Sequence, residues 1–319
     1  MKKIHTVTGE ILPEELGFCH SHEHLLLSRG ESFRKSPVLL LDDFDRSLAE
    51  VNAYAAAGGR AVVEAQPVGC NRVADDLERL SLKSGVRIIA STGFHKMLFY
   101  PENHWIFRYS ETQMEDVFLR ELTKGMFVNC DESEPEEQIT AKAGQVKCAL
   151  DTVGLDVQYR KLFCAAVRAC KATGAPMMVH IERGSDPLEL ADFLAEKGLP
   201  GKNGSVIFCH MDRACDDIEI HKRIAKSGVF LEYDTIGRFK YHSDEEEIAI
   251  IKELMGAGYE DRLLLSLDST RARLKSYTPE GIGLTYIIDR FIPMMKKAGI
   301  TQKQIKKMMI YNPAEAFAY

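Results

Sequence analysis

Eight short apolar runs, each followed by a longer stretch with helical spacing, constrain this chain more than any other feature. The runs occupy 17–22, 60–66, 86–92, 144–149, 176–180, 205–210, 229–234 and 262–268. The helical stretches fall at 43–57, 73–83, 112–125, 156–173, 186–196, 213–226, 243–256 and 280–297. The runs are apolar at too many positions to be one wet face of an open antiparallel sheet, so they read as buried parallel strands. Eight strand–helix units are the number that closes a (β/α)8 TIM barrel. A doubly wound open sheet is the competing arrangement, and the run ends weigh against it. His22, His180, His210, Asp234 and Asp268 each close a strand. A barrel gathers its chemistry at those ends, whereas an open sheet gathers it at a switch point. The tail, TQKQIKKMMIYNPAEAFAY, reads as a short helical extension of two helices. Thr301 is the cap of the first and Pro313 opens the second.

A chain of 319 residues is long for one domain but ordinary for one such barrel, so residues 1–319 are expected to form one unit. The net charge of −6 and a pI near 6.0 give no nucleic-acid-binding surface. No apolar run approaches the roughly 18 residues of a membrane span. The start, MKKIHTVTGEIL, lacks the apolar stretch of a signal peptide. The eight cysteines form no CxxC and several sit in apolar runs, which suits free thiols in a reducing cytoplasm.

Near the N-terminus stands GFCHSHEHLLL, with His20, His22 and His24 alternating. On a regular strand all three imidazoles would share one face. An HxH pair can reach one divalent ion, although histidines satisfied within a core produce the same pattern. His180 in APMMVHIERG, His210 in VIFCHMDR and Asp268 in LLLSLDST repeat the motif of a metal-capable group at a strand end. Lys147 lies inside the apolar run AGQVKCAL. A buried lysine must be neutral, paired or modified. One modification is a carbamate formed with CO2, which turns the cation into an anionic ligand able to bridge two metals.

Together HSHEH, AGQVK, VHIERG, CHMDR, SLDST and NPAEAF resemble, in order and spacing, the phosphotriesterase family of the amidohydrolase superfamily. The resemblance spans nearly the whole chain and is strongest to the sugar-lactone-phosphate branch. It implies a (β/α)8 barrel with a binuclear metal centre. By it, His22, His24 and Asp268 hold the more buried ion and His180 and His210 the more exposed one. Carboxylated Lys147 and a hydroxide bridge the two ions, which are expected to be Zn²⁺, with Mn²⁺ or Co²⁺ also suited to the donors. The bridging hydroxide attacks the ester and Asp268 accepts its proton. His20 matches none of the family's usual ligands. The lysine argues against the mononuclear deaminases of the superfamily.

The loops suggest the substrate. TIGRFKYHSD follows the seventh strand and STRARLKSYTPEG the eighth, where barrels often hold phosphate. Arg238, Lys240, Arg271, Arg273 and Lys275 put five cations there, with Tyr241 and Tyr277. Ordinary solvated loop charge is the plainer account of them. GFHKMLFYPENHW, after the third strand, offers His95, Lys96, Tyr100, His104 and Trp105 as an aromatic lid or as loop packing. The expected substrate-binding set is Lys240, Arg271, Arg273, Tyr277, His95 and Tyr100. The expected activity is a lactonase opening a small phosphorylated sugar lactone. The alternative is an organophosphate triester or broad carboxylic ester hydrolase using the same metals. A homodimer is the commonest assembly for such a fold.

Overall fold

The computed structural model describes residues 2–201 and 204–319. A hairpin of β1 (Ile4–Thr6) and β2 (Gly9–Ile11) precedes the first barrel strand, β3 (Cys19–Glu23). After α1 (Glu31–Lys35) the alternation begins with α2 (Phe44–Ala57), β4 (Ala61–Glu64), α3 (Ala74–Ser84), β5 (Arg87–Ile89) and β6 (Ser91–Gly93). It continues with α4 (Trp105–Arg108), α5 (Glu111–Thr123), β7 (Gln145–Leu150), α6 (Val157–Thr173), β8 (Met177–Ile181) and α7 (Pro187–Glu196). Then come β9 (Val206–Cys209), α8 (Met211–Ala214), α9 (Ile218–Lys226), β10 (Phe230–Tyr233), α10 (Asp244–Gly256) and β11 (Leu263–Leu265). The tail holds α11 (Ile292–Lys297), α12 (Gln302–Lys306) and α13 (Asn312–Ala316).

The helices begin where a short polar side chain satisfies their free N–H groups. Asp43, Ser110, Asp156, Asp186 and Ser243 each accept from the first turn. Two expected helices differ from the sequence reading. The stretch 213–226 is broken, because Asp217 caps a new helix at Ile218. The stretch 280–297 starts late, with a π-helical turn at Ile287–Phe291 before α11. Pro293 lacks the N–H that an α-helical ladder needs, and the wider turn absorbs the loss.

Strands pair in parallel as β3-β4-β5 and β6-β7-β8-β9-β10-β11. Residues 87–93 form one expected strand bent at Ala90: β5 pairs with β4 and β6 with β7. The circle closes between β11 and β3. There His22 N donates to Ser266 Oγ at 3.0 Å and Asp268 N to the His22 carbonyl at 3.1 Å. This is the (β/α)8 barrel. Its interior is packed by Cys19, Val63, Ile89, Met178, Ile207, Phe230 and Leu264. Phe317 and Ala314 of the tail join that interior cluster with Ile4 and Leu16. Tyr319 and Lys3 exchange two backbone hydrogen bonds of 2.9 Å. The tail therefore plugs the N-terminal end of the barrel and leaves the C-terminal end to the site.

Candidate metal centre

The alternation of histidines on β3 does not survive folding intact. The strand carries one extra residue between His20 and Glu23, a β-bulge against β4. A bulge reverses which side successive residues face. His20 accordingly turns outward onto the ring of Tyr54, centroids 4.6 Å apart, while His22 faces the barrel axis. His20 Nδ1 lies 2.8 Å from Glu23 Oε1. Glu23, fully buried, accepts from Ser266 Oγ, Leu267 N and Ser269 N at 3.0–3.1 Å. The pair thus grips the backbone on both sides of Asp268.

On the axis, His22 Nε2 and His24 Nε2 lie 3.7 and 3.5 Å from Asp268 Oδ1. The three side chains can present one ligand atom each within 4.8 Å of one another. Their other nitrogens are held from behind. His22 Nδ1 is 2.9 Å from Glu232 Oε2 and His24 Nδ1 is 3.4 Å from Glu64 Oε1. Carboxylates behind imidazoles fix the ring and aim the free nitrogen inward. His210 stands beside them, its ring centroid 4.9 Å from His22 and 4.5 Å from His180. His210 Nδ1 bonds Asp234 Oδ1 at 2.7 Å, and Asp234 Oδ2 is 3.2 Å from His22 Nδ1. One carboxylate therefore orients two imidazoles.

Lys147 is 1% exposed. Its Nζ has His22 Nε2 at 3.5 Å and Cys209 Sγ at 3.7 Å, with no carboxylate partner among the described residues. It is delivered by close strand contact. Gly93 has φ +98, and a Cβ there would stand 1.8 Å from the Lys147 carbonyl oxygen, so only glycine fits. His210 and Asp268 have φ values of 61 and 48, left-handed conformations that such residues rarely adopt. Strain of this kind persists where the surroundings impose it and gathers at functional positions.

Charge states divide the four imidazoles: burial opposes protonation of all of them, but Asp234 raises the His22 pKa and Asp268 and Glu64 raise that of His24. Burial lowers the His180 pKa to about 4, and burial together with Arg213 holds His210 well below its ordinary value, so both stay neutral. Burial opposes ionisation of Asp268, but Arg238 and His24 hold its carboxyl well below the usual range. Arg238 reaches Asp268 Oδ2 at 3.0 Å. The neutral imidazoles of His180 and His210 and the ionised Asp268 carboxylate suit a divalent cation, and the same cation would hold His22 and His24 unprotonated by taking their lone pairs. Burial pushes the thiols of Cys19 and Cys148 up, which suits packing and not nucleophilic attack.

These groups line a cavity of about 340 Å³. Of the expected substrate-binding residues, His95 and Lys240 line it. The other four do not. Arg271 bonds the Leu40 carbonyl at 3.0 Å and Asp42 at 3.1 Å. Arg273 donates to the carbonyls of Ile236 and Gly237. The Tyr277 hydroxyl bonds Ser47 and the Asp43 carbonyl. Tyr100 is buried, its hydroxyl accepting from His95 N at 2.9 Å. His104 and Trp105 are also buried, so the long loop after β6 packs as much as it covers. In their place the cavity gains Lys96, Glu182, Arg213, Arg238 and Tyr241. Glu182 lies 3.1 Å from His180 Nε2 and pairs with Lys96. Its place two residues after His180 was the available sequence signal. Arg213, three residues after His210, carried a similar one.

A closed barrel with this donor set at the C-terminal end of its strands is the architecture of a metal-dependent hydrolase. More narrowly, the chain belongs to the phosphotriesterase family, whose pattern it matches over residues 2–317. A phospho-furanose lactonase from Mycoplasmopsis agalactiae is 29% identical over 329 residues, covering 100% of this chain and 92% of the relative. An N-acetyltaurine hydrolase from Tetraodon nigroviridis is 28% identical, covering 98% of this chain and 97% of its own length. A lactonase from Listeria monocytogenes superposes with a TM-score of 0.88 at 28% identity, over 99% of this chain and 98% of that one.

Proposed function

We propose that this protein is a lactonase that opens a small phosphorylated sugar lactone with two divalent ions, in the first instance Zn²⁺. His22, His24 and Asp268 would hold one ion and His180 and His210 the other, and Lys147, once carboxylated on Nζ, would add an anionic ligand. Bound there, such ions lower the pKa of water and polarise an ester carbonyl. The chain supplies the rest. Asp268 is the proton acceptor, oriented by Arg238 and by the Glu23 grip on its neighbours. His95 stays neutral, its pKa pushed well down by burial and by His180, and adds no charge beside the ligands. A cytoplasmic setting is supported by eight cysteines that are all free.

The phosphate assignment rests on one observation. Arg213 and Lys240 flank the ring of Tyr241, at 5.5 and 4.5 Å from its centroid, on the wall of the cavity that holds the histidines. Neither cation is neutralised by a carboxylate among the described residues. A fork and a point charge together suit a phosphate. The name of the Mycoplasmopsis relative supports the same reading.

Hydrolysis of paired lactones, with and without phosphate, tests it. Lys240→Ala and Arg213→Ala are each expected to raise KM for the phosphorylated lactone by about 10–100-fold, the size of one charge-assisted contact, and to leave the plain lactone nearly unchanged. Equal effects on both substrates reject the phosphate assignment. A preference for triesters, aryl esters or N-acyl amides in the same screen keeps the centre and replaces the substrate.

A further inference from the structure

The segment between β10 and α10 carries Arg238, Lys240 and Tyr241 into the cavity, and both of its ends meet a second buried cluster. Thr235 starts the segment and His242 ends it. Asp212 of α8 and Glu247 of α10 complete the group. His242 Nε2 lies 3.0 Å from Glu247 Oε2, 3.0 Å from Thr235 Oγ1 and 3.8 Å from Asp212 Oδ2. Asp212, His242 and Glu247 can each place one ligand atom within 4.8 Å of the others. This cluster does not line the cavity.

Glu247 is 0% exposed; its Oε1 has no hydrogen-bond partner, and its Oε2 has only the His242 ring beside it, 3.0 Å away. Asp212 Oδ1 is likewise buried without a partner, while Asp212 Oδ2 accepts from Thr235 N at 2.6 Å. No lysine or arginine pairs with either acid among the described residues. Ionised together, two buried carboxylates beside one imidazole would carry an excess of negative charge; burial and Asp212 accordingly hold the Glu247 pKa well above its ordinary value, and a bound cation would take the place of that proton. A native fold leaves few buried polar groups unsatisfied, and an ion is one recognised reason.

We propose that Asp212, His242 and Glu247 form a further divalent-cation site, separate from the axial centre, with one imidazole and two carboxylates as ligands. This donor set takes a zinc- or manganese-type ion. The ion ties α8, the basic segment and α10 to one point. It therefore fixes both ends of the loop that presents Arg238 and Lys240. The site stands on its own geometry and does not depend on the substrate assignment.

Elemental analysis after zinc reconstitution and dialysis tests it. Glu247→Gln keeps the shape and removes the charge. It is expected to lose one zinc equivalent per chain relative to the parent, and His242→Ala to lose the same. The loss must also appear at the same size when Glu247→Gln is made in a chain already carrying His22→Ala and His24→Ala. That result places the lost ion outside the axial centre. Unchanged zinc in the folded variants overturns the proposal, as does a loss that disappears in the His22→Ala, His24→Ala background. If Glu247→Gln does not fold, His242→Ala decides alone in both backgrounds, because its side chain is less deeply buried than that of Glu247.

Discussion

Asp234 shows how much one side chain can carry. It holds His22 from one oxygen and His210 from the other. Burial opposes its charge, but His22 keeps its pKa below the ordinary aspartate value. An asparagine there accepts from one imidazole and turns an N–H₂ group toward the other. Asp234→Asn is expected to weaken metal affinity by about 10–100-fold, the usual size for a partner that orients a ligand. Competition with a chelator measures it, and unchanged affinity removes Asp234 from that role. His104 makes a different point, about pH. Burial lowers its pKa from 6.5 to about 4. Between those values the unfolded chain binds the extra proton and the folded one does not. Stability is therefore complete above pH 6.5 and falls as pH drops toward 4. At pH 5 the loss is about 2 kcal/mol from this group. His104 caps α4 through Nδ1, and asparagine caps as well without titrating. Urea unfolding of His104→Asn at pH 7 and pH 5 should show a smaller difference than the parent. Identical differences reject the assignment.

At the scale of elements, the barrel strands and their polar ends were legible because apolar runs and strand-end residues obey simple periodicity. The bulge in β3 was not, since nothing in HSHEH distinguishes a regular strand from one with an extra residue. It is what separates His20 from His22. The basic loops were legible as charge but not as geometry. Arg238 and Arg273 lie five residues apart from β10 and eight from β11, on loops of similar composition, yet one meets Asp268 and the other grips backbone. Loop cations choose between ligand and backbone through packing that the sequence pattern does not encode. The choice is testable. Burial and the neighbouring Arg238 push the Arg273 pKa down to about 10, so it remains a cation holding two carbonyls of the loop after β10. Arg273→Ala is expected to cost about 2–3 kcal/mol of stability, as charged hydrogen bonds do. It should raise KM for phosphorylated and plain lactones by the same factor. A selective loss on the phosphorylated substrate would instead return Arg273 to the phosphate site.

For the molecule as a whole, the two ends of the barrel do different work. Metal-capable groups occupy the C-terminal ends of the strands, while the tail closes the N-terminal ends with Phe317 and Ala314. Phe317 is 0% exposed and packs with Ile4, Leu16 and Phe230. Removing a buried phenyl ring costs about 3–5 kcal/mol, because the cavity it leaves collapses only in part. A loss of that size endangers a fold whose net stability is commonly about 5–15 kcal/mol. None of it need reach the centre, since the interior layers of Val63, Ile89, Met178 and Leu264 lie between. Phe317→Leu, a gentler truncation, is therefore expected to lower Tm by several degrees while zinc content and kcat/KM at 20 °C stay at parental values. Calorimetry and elemental analysis on one preparation decide the matter. If metal content falls in step with Tm, the barrel transmits packing from one end to the other, and the separation of stability from chemistry along its axis fails for this chain.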